Sequence, residues 1–271
     1  MSISPDHSPS SQEKLALQSD FTSKSLLTSK FKDGILHIQL DDDATRNSLS
    51  LNMIHAINSA ISTINETTRC VVISSTGPIF CSGHNANELI DITEEQANDV
   101  FHSSTNLMIN IRKCPAPVVA QVQGGAIGAG CMLALSCDFV IASEEAYFQT
   151  PGGSKGWFCF TPMATLVHHC SSRRALEMLF TGDRISANQA FTWGMINKVS
   201  AIEELQANVE NFISKITRGN TEMLRIAKDT FYDVLDKGYL PAMHDMANMM
   251  AKTCLLPSAQ ERLSSITKPK K

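Results

Sequence analysis

No stretch of this 271-residue chain holds the roughly 18 consecutive apolar residues that a membrane-spanning helix requires, so no span is expected. Positive charge is not in excess either. Twenty-three Lys and Arg stand against 27 Asp and Glu, a net charge of −4 that argues against nucleic acid or an anionic membrane as a partner. The eight cysteines, at 70, 81, 114, 131, 137, 159, 170 and 254, form no CxxC pair and no zinc-type spacing, so no metal site is expected. Most of them sit in apolar runs, where a free Cys acts as a small buried hydrophobe. Residues 1–24 contain no Arg and no apolar core of the kind a signal peptide carries. Rich in Ser and Gln, they read as a disordered tail, and the expected compartment is the cytoplasm rather than the mitochondrial matrix. Low-complexity inserts and internal repeats are absent as well.

What is present alternates between strand and helix patterns. "GILHIQL" puts Leu36, Ile38 and Leu40 on one face of a strand. Ser50 then caps a helix with Leu51, Ile54, Ile57, Ile61 and Ile64 at helical spacing. "CVVISS" is a buried strand, followed by "TGPIFCSGHNANE" as a loop, and Thr93 with Gln96 makes a capping box for a helix running to about Arg112. "APVVAQVQG" is a strand, a glycine loop follows, and a helix covers 128–136. "DFVIAS" and "AYFQT" are short strands, and Thr161-Pro162 reads as an N-cap followed by Pro at the first helical position. From Ser172 the pattern is helical apart from "MINKVS". The fold class is therefore α/β with a helical C-terminal part.

"GGAIGAGCMLALSCDFVIAS", Gly124 to Ser143, is the segment richest in glycine. Glycines before a helix permit close backbone approach and leave the first N–H groups free for a ligand; tight helix–strand packing is the alternative use. The segment lacks the GxGxxG spacing of a dinucleotide fold and the Gly-Lys-Ser/Thr of a P-loop. "FCSGHN", Phe80 to Asn85, likewise leaves a buried strand and turns at Gly83. Two such strand-exit loops, each exposing a backbone N–H, can form an oxyanion hole.

Together "FCSGHNANE", the glycine segment some forty residues later, "RNSLS" (Arg46 to Ser50) and "LFTGDRISANQAFTWGMINKV" (Leu179 to Val199) resemble the enoyl-CoA hydratase/isomerase (crotonase) superfamily over about residues 30 to 270. The resemblance implies a crotonase-type spiral of ββα units over 25–200 and a helical trimerisation region over 201–271, in a homotrimer or a hexamer. It implies an acyl-CoA ligand, with CoA as part of the substrate and no separate cofactor. The oxyanion donors it implies are the backbone N–H groups of His84 and Ala129. Arg46, Ser48, Ser82, Gly83, Asn85 and Gly128 complete the implied acyl-CoA-binding set.

The same resemblance marks two departures. Family hydratases carry one glutamate just after the Cys of the glycine loop and another after the Pro that follows the "YF" strand; here Met132 and Gly152 stand at those positions. A positioned acid or base contributes about 10²–10⁴-fold in rate, so a non-standard reaction is expected, or an acyl-CoA-binding protein without activity, with an assembly subunit as a third reading. Candidate substitutes are His84, whose ring can titrate near neutrality or merely wall the pocket, and Cys159 and Thr161 on the loop after Gly152. Glu88 and Asp91 are read as solvent-facing or as caps of the next segment, and Asp138 as a structural hydrogen-bonding group. His168 and His169 are read as packing residues inside a helix, and Trp157, Phe158 and Phe160 as pocket or core aromatics.

Overall fold

The computed structural model describes residues 25–153 and 156–267; the tail read over 1–24 lies outside them. β1 (Leu27–Lys32) and β2 (Ile35–Leu40) form an antiparallel hairpin, and α1 (Leu51–Ser62) follows. Three ββα units come next. They are β3 (Cys70–Ser75), β4 (Ile79–Cys81) and α2 (Glu94–Lys113); β5 (Val118–Val122), β6 (Gly125–Ile127) and α3 (Ala129–Ser136); and β7 (Phe139–Ser143), β8 (Tyr147–Gln149) and α4 (Phe160–His169). With β9 (Ile185–Ser186) and β10 (Lys198–Ser200) from later in the chain, the first strand of each unit joins a sheet ordered β1-β2-β3-β5-β7-β10 and the second a sheet ordered β4-β6-β8-β9. The chain thus winds as a spiral, one unit per turn, with strands of successive units paired in parallel.

The remaining elements are α5 (Ser172–Thr181), β9 (Ile185–Ser186), α6 (Ala187–Thr192), β10 (Lys198–Ser200), α7 (Leu205–Ile216), α8 (Thr221–Leu235), α9 (Tyr239–Thr253) and α10 (Pro257–Thr267). Among the described residues no helix is long and apolar enough to cross a membrane.

Local chemistry explains these elements. Leu36, Ile38 and Leu40 are buried on one face of β2, whereas "CVVISS" is apolar on both faces because β3 lies inside a parallel sheet. Ser50 accepts a hydrogen bond from the Met53 N–H, and Thr93 and Gln96 complete the reciprocal capping box. α3 is apolar all round and buried over all but its last residue, since it threads the centre of the spiral. A Cβ on Gly130 would run into the Cys81 backbone, so this glycine sets how closely α3 approaches β4.

Several boundaries differ from expectation. β1 is exposed apart from Leu27, which packs against the core, and so offers no burial alternation to read. β4 and β6 lie inside segments expected to be loops; three-residue strands are too short to show alternation. α4 begins at Phe160 with Cys159 as N-cap, so Thr161 is inside the helix and is not its cap. Cys159 has no side-chain capping bond there; the turn is set by its own backbone. Ile64 falls beyond the end of α1.

α7 packs on the six-stranded sheet through Leu205, Val209 and Ile213. Beyond it, Lys228 and Ala242 are the buried residues of α8 and α9, and Phe231, Leu235, Tyr239, Leu240, Met243 and Met250 are exposed. Lys228 and Tyr232 of α8 are held by Asp138, which follows α3. Asp138 accepts from the Lys228 ammonium and the Tyr232 hydroxyl at 2.7 Å each and from the Val118 N–H at 2.6 Å. The expected structural role of Asp138 is this three-way anchor.

Candidate active site

The parallel strands β4, β6 and β8 are neighbours, with Cys81 beside Ala126 and Ile127 beside Gln149. Their carboxyl ends release three loops at one edge: Ser82 to Asn85, Gly128, and Thr150 to Cys159. Clefts outside the carboxyl ends of parallel strands are habitual ligand sites. Here they enclose a cavity of about 450 Å³, within the range of small-molecule sites. Ser82, Gly83, His84, Gly128, Ala129 and Gly152 line it, as do Trp157, Phe158, Cys159, Phe160 and Thr161.

Gly83 makes the close approach that the glycine pattern suggested. Its φ is +95°, and an added Cβ would lie 2.8 Å from the Ile127 carbonyl oxygen and 3.3 Å from the Ala129 nitrogen. The two strand-exit loops therefore touch at this residue. Gly128 also takes a positive φ, +55°, and its N–H donates to the Gln149 carbonyl at 2.8 Å. Ala129 is the first residue of α3, where an N–H has no intrahelical acceptor. Among the described residues neither the Ala129 N–H nor the His84 N–H donates to a protein acceptor.

The "RNSLS" segment buttresses this edge from behind. The Leu49 N–H donates to the Gly83 carbonyl at 2.8 Å, the Ser82 N–H to the Arg46 carbonyl at 3.1 Å, and the Ser82 hydroxyl to the Thr45 carbonyl at 3.0 Å. Arg46 itself is exposed, in a left-handed conformation, and Ser48 is buried with its Oγ lacking a partner among the described residues. Neither lines the cavity, nor does Asn85, whose side-chain oxygen accepts from the Asn87 N–H. Arg46, Ser48 and Asn85 support the wall rather than form it.

His84 differs from expectation. Burial among Phe101 and Trp157 pulls its pKa down to about 4, so the ring is neutral at pH 7 rather than titrating there. Its Nε2 lies 2.9 Å from the Ser104 hydroxyl, which donates onward to the Phe101 carbonyl at 3.0 Å. With the Ser104 proton on that carbonyl, Nε2 is the donor and Nδ1 carries the lone pair; with that proton on Nε2, the two ring nitrogens exchange roles. Phe101 and Ser104, on the buried face of α2, are site residues that sequence reasoning missed. The signal that could have found Ser104 is its place as a polar residue at helical spacing among Val100, Leu107, Met108 and Ile111.

Met132 is not on this cavity. Buried on α3, it lines a second one of about 280 Å³, which adjoins the first at Thr161, a residue common to both walls. Gly152 is at the first cavity but has no room for a side chain: a Cβ would collide with the Trp157 carbonyl oxygen and sit 2.8 Å from the Cys159 Sγ. Cys159 is half-buried and its thiol is pushed up by burial, which disfavours a thiolate nucleophile. Glu88 caps the preceding helix rather than the next, accepting from the Leu51 N–H at 3.0 Å; Asp91 is exposed. His168 and His169 close the last turn of α4 and line the second cavity instead of packing inside the helix. Trp157 and Phe160 are exposed on one side, walling the cavity rather than filling a core.

Comparison with known proteins gives a consistent result. The profile of the family described as enoyl-CoA hydratase/isomerase matches residues 30–264. The chain is 37% identical over 245 residues to the Homo sapiens protein named enoyl-CoA hydratase domain-containing protein 3, mitochondrial, covering 88% of this chain and 80% of the relative. The Mus musculus protein of that name is 35% identical over 249 residues, 91% and 83% of the two chains. Among solved structures, an enoyl-CoA hydratase from Mycobacterium smegmatis superposes with a TM-score of 0.87 at 32% identity over 90% of this chain and 96% of its own. The human domain-containing protein 3 superposes with a TM-score of 0.85 at 36% identity, over 91% and 100%. Five vertebrate relatives carry a mitochondrial designation, which overturns the cytoplasmic expectation drawn from the composition of residues 1–24. By profile, by relatives and by fold, this chain belongs to the enoyl-CoA hydratase/isomerase family.

Proposed function

We propose that the cavity at the ends of β4, β6 and β8 binds a CoA thioester, whose carbonyl oxygen accepts from the backbone N–H groups of His84 and Ala129. The close approach of Gly83 to the Ala129 nitrogen carries this reading, because it brings together His84 and Ala129, whose N–H groups have no protein acceptor among the described residues. Donors aimed at one oxygen lower the energy of an enolate more than that of the neutral thioester, since charge develops on that oxygen. The proton chemistry is non-standard. None of the described residues lining the cavity is Asp or Glu, and Met132 and Gly152 stand where family hydratases carry glutamates. The His84 imidazole is a candidate base on that wall, and Thr161 offers a hydroxyl there.

The absence of a carboxylate on that wall also favours a second reading, a protein that holds acyl-CoA without turning it over. Incubation of purified protein with a panel of acyl-CoA thioesters, followed by mass spectrometry, separates the two. Turnover supports lyase- or isomerase-type chemistry of fatty acyl groups. Retention without turnover supports the binding protein, and neither outcome for any thioester would remove both. The exposed apolar residues of α8 and α9 further suggest a homotrimer or a hexamer, which sedimentation of the intact chain tests.

A further inference from the structure

Resting on that reading, we propose that the second cavity receives the far end of the acyl group and that Arg112 recognises a carboxylate there, with His168 beside it. The substrate class is then an acyl thioester of medium length with a carboxylate at its distal end.

The two cavities are successive stations along the same three helices. On α2, Phe101 lines the thioester cavity, while Thr105, Met108 and Arg112 line the second. On α3, Ala129 lines the first, and Met132, Leu135 and Ser136 the second. On α4, Thr161 lines both, and Thr165 and His168 continue. These spacings are those of single helical faces, so the walls run parallel. From Ala129 to Ser136 the path rises about 10 Å at 1.5 Å per residue. A zigzag of C–C bonds about 1.5 Å long covers that distance in about eight carbons.

The lining changes along this path. Met108, Met132, Leu135 and Ala164 are apolar, suited to methylenes, and Met132 is flexible enough to let a chain pass. A glutamate at 132 would put a charge in the middle of this stretch. At the far end stand a guanidinium and two imidazoles. Arg112 is oriented by stacking on Tyr232, 4.4 Å from the ring centroid. Its acidic neighbour Asp236 is 3.6 Å away, exposed, and outside hydrogen-bond reach. The contact with Asp236 is an ion pair without a hydrogen bond, and Arg112 donates no hydrogen bond among the described residues, so a ligand carboxylate competes for the guanidinium only with that exposed partner. The His169 Nδ1–H donates to the Thr165 carbonyl at 2.8 Å, and burial keeps the ring neutral, so Nε2 carries a lone pair and His169 walls the cavity without binding a carboxylate.

The test is calorimetric titration of the full-length protein at pH 7 with octanoyl-CoA, the monothioester of CoA with octanedioic acid, and free octanedioate. The expected result is that the carboxylated thioester binds at least about tenfold more tightly than octanoyl-CoA, the scale of a charge-assisted bidentate pair. Arg112→Gln should abolish that preference, the carboxylated thioester losing at least about tenfold more affinity than octanoyl-CoA loses. If Arg112→Gln does not fold, Arg112→Lys, which keeps the charge but loses the planar fork, should reduce the preference in the same direction. Equal or weaker binding of the carboxylated thioester overturns the proposal while the thioester site stands, and failure of every thioester to bind removes the underlying reading. Free octanedioate binding without competing with octanoyl-CoA would also overturn it, since the guanidinium would then form a separate anion site.

Discussion

Asp138 and Lys228 are 90 residues apart in sequence and form an ion pair at 2.7 Å with side chains only 9% and 7% exposed. The Lys228 ammonium also donates to the Ile111 and Ala116 carbonyls at 3.1 Å each, and Asp138 accepts from Tyr232 and Val118. Each charge is therefore both paired and hydrogen-bonded, the condition under which a buried pair is tolerable. The pair fastens α8 to the turn after α3 and to the start of β5. Since α8 has no other buried side chain, the anchor defines how the C-terminal helices leave the core.

Lys228→Met strands the Asp138 carboxylate and should cost about 3–5 kcal/mol of stability, as for other broken buried pairs. The double variant Lys228→Met/Asp138→Asn should regain part of that loss, because no uncompensated charge remains. Denaturant titration of the three proteins measures both quantities. A loss below about 1 kcal/mol, the scale of a surface pair, would mean that the anchor opens readily to water.

Ala129→Pro deletes one proposed oxyanion donor at the first position of a helix, where proline is best tolerated. If the N–H groups of Ala129 and His84 bind a developing oxyanion, an enolate-mimicking CoA analogue should lose about 10²-fold or more in affinity. Free CoA should lose little. Equal losses for both ligands in a folded variant would show that the site is merely deformed.

The pH dependence of stability isolates His84. Its folded value of about 4 lies below the ordinary 6.5, so between those values the unfolded chain binds the additional proton. The contribution is fully present above pH 6.5 and is lost as pH falls toward 4. His37 and His169 are also lowered by burial, so the comparison must be between wild type and His84→Gln, in which their contributions cancel. Unfolding free energies measured at pH 7 and pH 5 should fall less in the variant. Identical slopes would mean that the imidazole takes up its proton in the fold as readily as in the unfolded chain.

Much of this arrangement was legible because local signals and tertiary roles agreed. The capping box at Thr93, the alternation in β2 and the glycine at 83 each have one physical use, and each serves it. β1 was illegible from burial, yet its turn was not: Asp33 and Gly34 both have positive φ, the usual chemistry of a two-residue hairpin loop, and "DG" stands in the sequence. His84 could not be read correctly because its proton affinity depends on Phe101, Ser104 and Trp157, distant in sequence. The reading of Met132 and Gly152 as missing carboxylates rests on resemblance alone. That one faces a second cavity and the other has no space for a Cβ are facts of packing, invisible in any local pattern.

Those two positions give the last prediction. Hydration of crotonyl-CoA by the unmodified protein should run near background, because neither position supplies a group that takes a proton from water or returns one at Cα. Installing both glutamates should not restore it. Gly152→Glu must displace the Trp157 carbonyl, a backbone atom that cannot swing aside as a side chain would, so a loss of stability is expected even for Gly152→Ala. Met132→Glu buries an ionisable group against Leu135 and Met108, which raises its pKa above that of an exposed glutamate. That variant should therefore be least destabilised in acid and lose stability as pH rises through the ordinary glutamate range, the reverse of a salt-bridged carboxylate. Steady-state hydration assays and melting curves at pH 4.5 and 7.5 measure both effects. Brisk hydration by the unmodified protein would overturn the expectation and make His84→Ala the next variant to assay.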